Sequence, residues 1–196
     1  MNTQEKEKLL EDLKKEVLNC RQCPLYLTRT NPVFGAGSIE SKIMFIGEAP
    51  GFNEDKQGVP FCGAAGKILD ELLAGVGIKR NDVYITNILK CRPPKNRDPK
   101  PEEISLCTPY LEKQIEIINP KVICSLGRYS MKFIFEKYGL KEKLEPISKI
   151  HGKIFEIQNL FQEIKIIPFY HPAVATYNPH MKEILKRDFQ ILKAIK

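Results

Sequence analysis

Six cysteines are the first residues whose spacing suggests chemistry, and four of them fall in two pairs. Cys20 and Cys23 form a Cys-Arg-Gln-Cys-Pro element, while fifteen residues of a proline-rich stretch separate Cys91 from Cys107. A Cys-x-x-Cys turn lets two thiolates converge on one site, and a second pair can complete tetrahedral coordination of zinc or anchor an iron-sulfur cluster. The spacing alone does not choose between them, and buried inert thiols are the plain alternative. A thioredoxin-like pair would open a helix after a strand, whereas this one follows a helical stripe. Cys124 sits inside the apolar run VICSL and reads as a small core hydrophobe. Cys62 is left unassigned.

Three further segments carry groups able to handle an organic substrate. The first, residues 47–66, has glycines at 47, 51, 58, 63 and 66 and the acids Glu48, Glu54 and Asp55. By type alone these acids are solvated or capping carboxylates first and catalysts second. The Gly-Ala-Ala-Gly step can present N–H groups to an anion, but the segment is neither a Walker A loop nor a GxGxxG fingerprint. Phe61 is a packing residue or a platform for a flat ring. The second segment, residues 86–101, holds Lys90, Arg92, Lys95, Arg97 and Lys100 against the single acid Asp98, a density suited to phosphates, though a merely solvated basic loop has the same composition. Asn87 at its start offers both a donor and an acceptor to a base edge. The third segment, residues 169–179, carries His171 in a His-Pro step. A lone histidine is commonly structural, but at the end of a strand it can stabilise developing negative charge. His151 and His180 read as surface or packing residues.

The elements that must position these groups alternate. Leu9, Leu10, Leu13, Val17 and Leu18 form a helical stripe over residues 3–18. Residues 42–47, 83–88, 121–127, 153–157 and 164–170 read as strands, with 64–74, Pro101–Ile118, 128–138 and 181–195 as helices. Strands alternating with helices predict an α/β fold, a three-layer α/β/α arrangement around a mostly parallel sheet. Ligands in such folds bind beyond the carboxyl ends of the strands. That rule selects the loops after Gly47, Asn87 and Tyr170.

With 196 residues the chain is expected to be one domain, residues 1–196, with the N-terminal helix and cysteine pair (1–40) packed onto it. A 42% apolar and 28% charged composition excludes a disordered chain, and no apolar run approaches the roughly 20 residues that cross a bilayer. The charged first segment has no secretory h-region, so a cytoplasmic location is expected, and with it reduced thiols. The net charge of +7 is compatible with a polyanionic partner.

GEAPGFNED, VPFCGAAGKILD, TNILKCRPPKNRDPKPEEISLC and YHPAVATYNP, with the leading CRQCP, resemble the family 4 uracil-DNA glycosylases, the iron-sulfur branch of their superfamily. The likeness runs from Cys20 to Pro179 in the family's order. It implies a 4Fe-4S cluster on Cys20, Cys23, Cys91 and Cys107, and a monomeric enzyme acting on uracil-containing DNA, single- or double-stranded, without membrane contact. It implies further that Phe61 stacks on a flipped uracil, Asn87 reads its O4/N3 edge, and His171 donates to O2. Gly47 and Gly51 would border the base, Arg92, Lys95 and Arg97 would meet phosphates, and Val174 to Tyr177 would enter the duplex.

Three positions depart from the superfamily's best-known branch. Ala49 stands where that branch has a water-positioning aspartate, so Glu48 is the expected substitute. Gly51 stands where it has a tyrosine that blocks the thymine methyl, and Tyr177 where an arginine is common. The competing readings are a non-catalytic iron-sulfur DNA-binding module and a ferredoxin-like electron carrier. The carrier leaves the basic loop, Asn87 and His171 without a purpose.

Overall fold

In the computed structural model, which describes residues 1–158 and 163–195, the apolar runs pair into one six-stranded sheet. Its strands are β1 (Ala36–Gly37), β2 (Ile43–Gly47), β3 (Tyr84–Asn87), β4 (Val122–Leu126), β5 (Phe155–Gln158) and β6 (Glu163–Phe169), in spatial order β1-β3-β2-β4-β6-β5. The four central strands are parallel, and β1 and β5 close the edges antiparallel. Every residue of β2 and β4 is buried, as expected of strands covered on both faces.

Alternation divides the core in two. Met44 and Ile46 point to one side, where α1 (Thr3–Asn19), α4 (Pro101–Ile118) and α5 (Arg128–Lys137) pack. Ile43 and Phe45 point to the other, against α3 (Ala64–Gly75) and α7 (Pro179–Phe189). The expected three-layer arrangement is therefore present. Among the described residues, no helix is long and apolar enough to cross a membrane.

Several boundaries differ from expectation for identifiable reasons. The first helix buries Leu10, Leu13 and Val17 only, while Leu9 and Leu18 fall on its flanks and stay exposed, because one helix resting on α4 needs a narrow stripe. The glycine-rich segment contains a six-residue helix, α2 (Phe52–Gln57), stopped by Gly58 in the left-handed region (φ 71°). A four-residue α6 (Ile147–Ile150) precedes β5. The closing helix begins earlier than its apolar stripe, at Pro179 with Asn178 as its cap, and beyond Phe189 it tightens into a 3-10 turn over Gln190–Ala194.

Candidate active site

Gly47 and Asn87 are register partners at the carboxyl ends of β2 and β3, and the pairing runs on past them. Ile88 N donates to Gly47 O (3.0 Å) and Leu89 N to Glu48 O (3.0 Å). Two strands across, β6 ends at Phe169, whose carbonyl accepts from Gly127 N (2.9 Å), and His171 follows two residues later. These strand ends open into one cavity of about 370 Å³, whose lining includes Glu48, Gly51, Glu54, Phe61, Asn87 and His171. The three loops selected from the sequence thus meet.

Phe61 reaches the cavity through a left-handed backbone (φ 49°), a conformation that costs a bulky residue energy and persists only when its surroundings impose it. Gly66, in the first turn of α3, is part of that imposition. A Cβ there would lie 1.8 Å from the Phe61 carbonyl oxygen, so only glycine admits the approach. The buried Phe61 ring packs against the His171 imidazole, with centroids 5.5 Å apart and planes 27° apart.

Asn87 is 2% exposed, and among the described residues its Oδ1 is a buried acceptor without a hydrogen-bond partner. Leaving such an atom unpaired costs about 1–3 kcal/mol, a cost that a ligand N–H would remove. The His171 Nδ1 accepts from Ala173 N (3.2 Å), which leaves the ring proton on Nε2. Burial, partly opposed by the Glu54 charge, lowers its pKa to about 4, so the imidazole is a neutral donor at neutral pH.

Glu48 has the opposite perturbation. Burial first, then the negative Asp98, raise its carboxyl to about 7 against the pull of Arg128. Asp98 and Arg128 are themselves paired at 2.6 Å. Glu54 is the residue that sequence reasoning undervalued. Its Oε1 accepts from Cys62 N (2.9 Å) and Gly63 N (2.8 Å), holding the start of α3. Its Oε2 occupies the space beside Gly51, 2.7 Å from where a Cβ would be. The only hint in the sequence was its place in a capping-competent loop.

The basic segment divides by burial. Lys90 does not belong to the phosphate-facing group: it is 1% exposed, and its ammonium is enclosed by Thr86, Asn87 and Gln114. Arg97 lines the cavity and is held by both oxygens of the buried Glu103 (2.5 and 2.9 Å). Arg92 lies over the exposed Phe52 ring (5.1 Å) and donates to Asn96 (2.7 Å), and Lys95 is exposed in a left-handed turn (φ 56°). In the third loop, Val174 packs against the core on the α3 side, whereas Tyr177 stands 82% exposed at the cavity rim. His151, read as a surface or packing residue, pairs with the buried Asp188 (2.6 Å).

A second, largely apolar pocket is lined by Cys20, Cys23, Cys91 and Cys107. Arg29 Nη1 donates to Cys91 Sγ (3.0 Å) and Lys90 N to Cys107 Sγ (3.2 Å). Burial pushes the Cys91 thiol up and that of Cys107 up to about 12. Among the described residues, no three Cys, His, Asp or Glu groups are arranged to hold a single metal ion. Cys124 is fully buried in β4, and Cys62 is half-buried outside this pocket.

A family model described as the Uracil DNA glycosylase superfamily matches residues 34–193. Three relatives each bear the name Type-4 uracil-DNA glycosylase. The one from Sulfurisphaera tokodaii is 49% identical over 187 residues, 95% of this chain and 84% of its own. That of Archaeoglobus fulgidus is 48% identical over 92% of this chain and 90% of its own, and that of Saccharolobus solfataricus 46% identical over 94% and 85%.

Proposed function

The chain belongs to the uracil DNA glycosylase superfamily, and from that premise we infer that it is a type-4 uracil-DNA glycosylase. It hydrolyses the bond between deoxyribose C1′ and uracil N1, the first step in repairing deaminated cytosine. The observation that carries this reading is the unpaired Oδ1 of Asn87, buried in one cavity with Phe61 and His171. A buried acceptor beside an aromatic plate suits a flat ring that presents an N–H, as uracil does at N3. The same amide can donate to O4. Cytosine has an acceptor at N3 and a donor at C4, so both contacts would be reversed.

The nucleotide must leave the helix before it reaches this cavity, at a cost of a few kcal/mol that ring stacking and phosphate contacts offset. Phe61 receives one face of the base. As the C1′–N1 bond breaks, its electron pair passes into the ring and charge gathers on O2, where the Nε2–H of neutral His171 donates. One such donor is worth roughly 3 kcal/mol. The sugar, left as an oxocarbenium-like cation, is attacked at C1′ by water. Glu48 orients that water and takes its proton, the role open to it because Ala49 has no side chain able to do so. Arg92, Lys95 and Arg97 meet the phosphates, and of the segment Val174 to Tyr177 it is the exposed Tyr177 that enters the duplex, while Val174 stays packed on the core.

Cys20, Cys23, Cys91 and Cys107 would hold a 4Fe-4S cluster. The donor set fits: four sulfurs line one apolar pocket, and two of them already receive N–H donors of the kind that orient and tune thiolate ligands. When bound, such a group ties the loop between Cys91 and Cys107 to the N-terminal segment.

The test is a duplex carrying one uracil, incubated with the protein and then treated with alkali. Cleavage at the uracil position supports the reading. Salt-sensitive binding with an intact strand would replace it with a DNA-binding module.

A further inference from the structure

Lys90 lies outside the uracil cavity and borders the cysteine pocket without supplying it a sulfur, and it is among the most enclosed side chains in the molecule, at 1% exposure. Its Nζ donates to Thr86 Oγ1 (2.7 Å), to the Asn87 main-chain oxygen (2.8 Å) and to Gln114 Oε1 (2.6 Å). The two side-chain acceptors are fixed in turn. The Thr86 hydroxyl donates to Phe34 O (2.9 Å), and Gln114 Nε2 donates to Phe34 O (2.9 Å) and Tyr84 Oη (3.1 Å). Three donors therefore meet three acceptors, two of them oriented by their own hydrogen bonds and the third held in the strand.

Burying a lysine head is expensive even with the Cys107 and Cys91 sulfurs near enough to favour its charge, and an apolar side chain of similar length would fill the space at less cost. The expense secures a geometry. Asn87 is the last residue of β3 paired in register with β2, and its side chain must hold one orientation with no hydrogen-bond partner on Oδ1 before substrate arrives. The Lys90 side chain folds back three residues to grip the Asn87 carbonyl. Its own main chain is pinned by Lys90 N to Cys107 Sγ (3.2 Å) and by Val33 N to Lys90 O (2.7 Å).

We propose that Lys90 is a positioning residue: its side chain locks the Asn87 main chain so that the amide faces the base before uracil enters. The proposal rests on the uracil-excising function inferred above, and its test separates the two. Single-turnover uracil release would be measured with enzyme in excess for the unsubstituted protein, Lys90→Met, Asn87→Ala and the double variant. Each is used as isolated with its bound iron, and visible absorbance and DNA affinity are recorded alongside.

If Lys90 acts through the Asn87 amide, Lys90→Met slows release about tenfold in the native background and less than about twofold in the Asn87→Ala background, with iron absorbance and DNA affinity unchanged. Equal factors in the two backgrounds, or no loss in the native one, overturn the proposal. A merely structural lysine would give equal factors. Should Lys90→Met fail to fold, Thr86→Val removes one of the three acceptors at nearly constant volume and passes through the same cycle, with the same two outcomes. If the unsubstituted protein itself released no uracil, the functional reading would fail and the role of Lys90 with it, whereas equal factors remove only the latter.

Discussion

Gly47 stands so close to Asn87 that a Cβ at position 47 would lie 2.3 Å from Asn87 Oδ1, and 2.7 Å from Phe61 Cζ on its other side. The glycine is the gap through which the amide and the aromatic plate approach one base. Gly47→Ala is therefore expected to displace both without touching the phosphate-facing loop. Excision should fall about a hundredfold or more, with DNA affinity nearly unchanged. Single-turnover rates beside fluorescence anisotropy on the same duplex check this, and a rate within threefold of the unsubstituted protein would refute it.

Asn87→Ala removes both contacts to the N3/O4 edge of the base, and His171→Ala removes the one to O2. Each is expected to cost about two powers of ten in the chemical step. Retention on uracil-containing DNA should change much less, because phosphate contacts supply most of the affinity. Alkali-cleavage rates and anisotropy measured together distinguish this from a general loss of fold.

The two perturbed groups act on stability in opposite senses. His171 titrates near 4 in the folded chain against an ordinary 6.5, so the unfolded chain binds more protons between those values and stability falls as pH falls through them. Glu48 titrates near 7 against an ordinary 4.5, so the folded chain holds more protons in that window and stability falls as pH rises through it. Where the windows overlap, the unsubstituted protein should show a flattened profile. Glu48→Gln removes the second contribution, and its melting temperature should climb from pH 4 to 6.5 and then hold level. Calorimetric scans across pH 4 to 8 test this; parallel curves for the two proteins would contradict it.

Activity carries its own signature of Glu48. If its ionised form orients the attacking water, log kcat/KM should rise with unit slope up to about pH 7 and then level off. Glu48→Gln should lose that limb together with most of the rate. A pH profile identical in shape for both proteins would assign water activation elsewhere.

Cys107→Ser removes one of the four thiols around the second pocket. If these thiols hold the proposed cluster, the purified variant should lack the brown colour and the iron expected of the unsubstituted protein. Its thermal stability should also fall, because the fifteen-residue stretch from Cys91 would no longer be tied down; closing a loop of that length is worth about 3 kcal/mol by chain-entropy arithmetic. Iron analysis and melting curves check both, and a coloured variant of unchanged melting temperature would show that Cys107 is not a ligand.

Much of the fold was legible because it is written in local periodicity. The run 42–47 contains the strand Ile43–Gly47, buried on both faces, Pro101–Ile118 is a helix with the predicted ends, and the parallel centre follows from the alternation. The short antiparallel edge β1 and the helix α2 were not legible. Two residues carry no period, and six residues among glycines carry no stripe.

For the site, residue types and spacing determined the candidates: Asn87 and His171 at strand ends, Phe61 in a glycine-rich loop, and cysteines in pairs. Tertiary structure alone decided that Lys90 is buried rather than offered to phosphate, that Glu54 fills the space beside Gly51, and that Val174 turns inward while Tyr177 remains outside. The physical reason is range. Periodicity and backbone propensity act over a few neighbours along the chain, whereas burial, an unpaired Oδ1 and a shifted pKa arise from atoms brought together across the sheet.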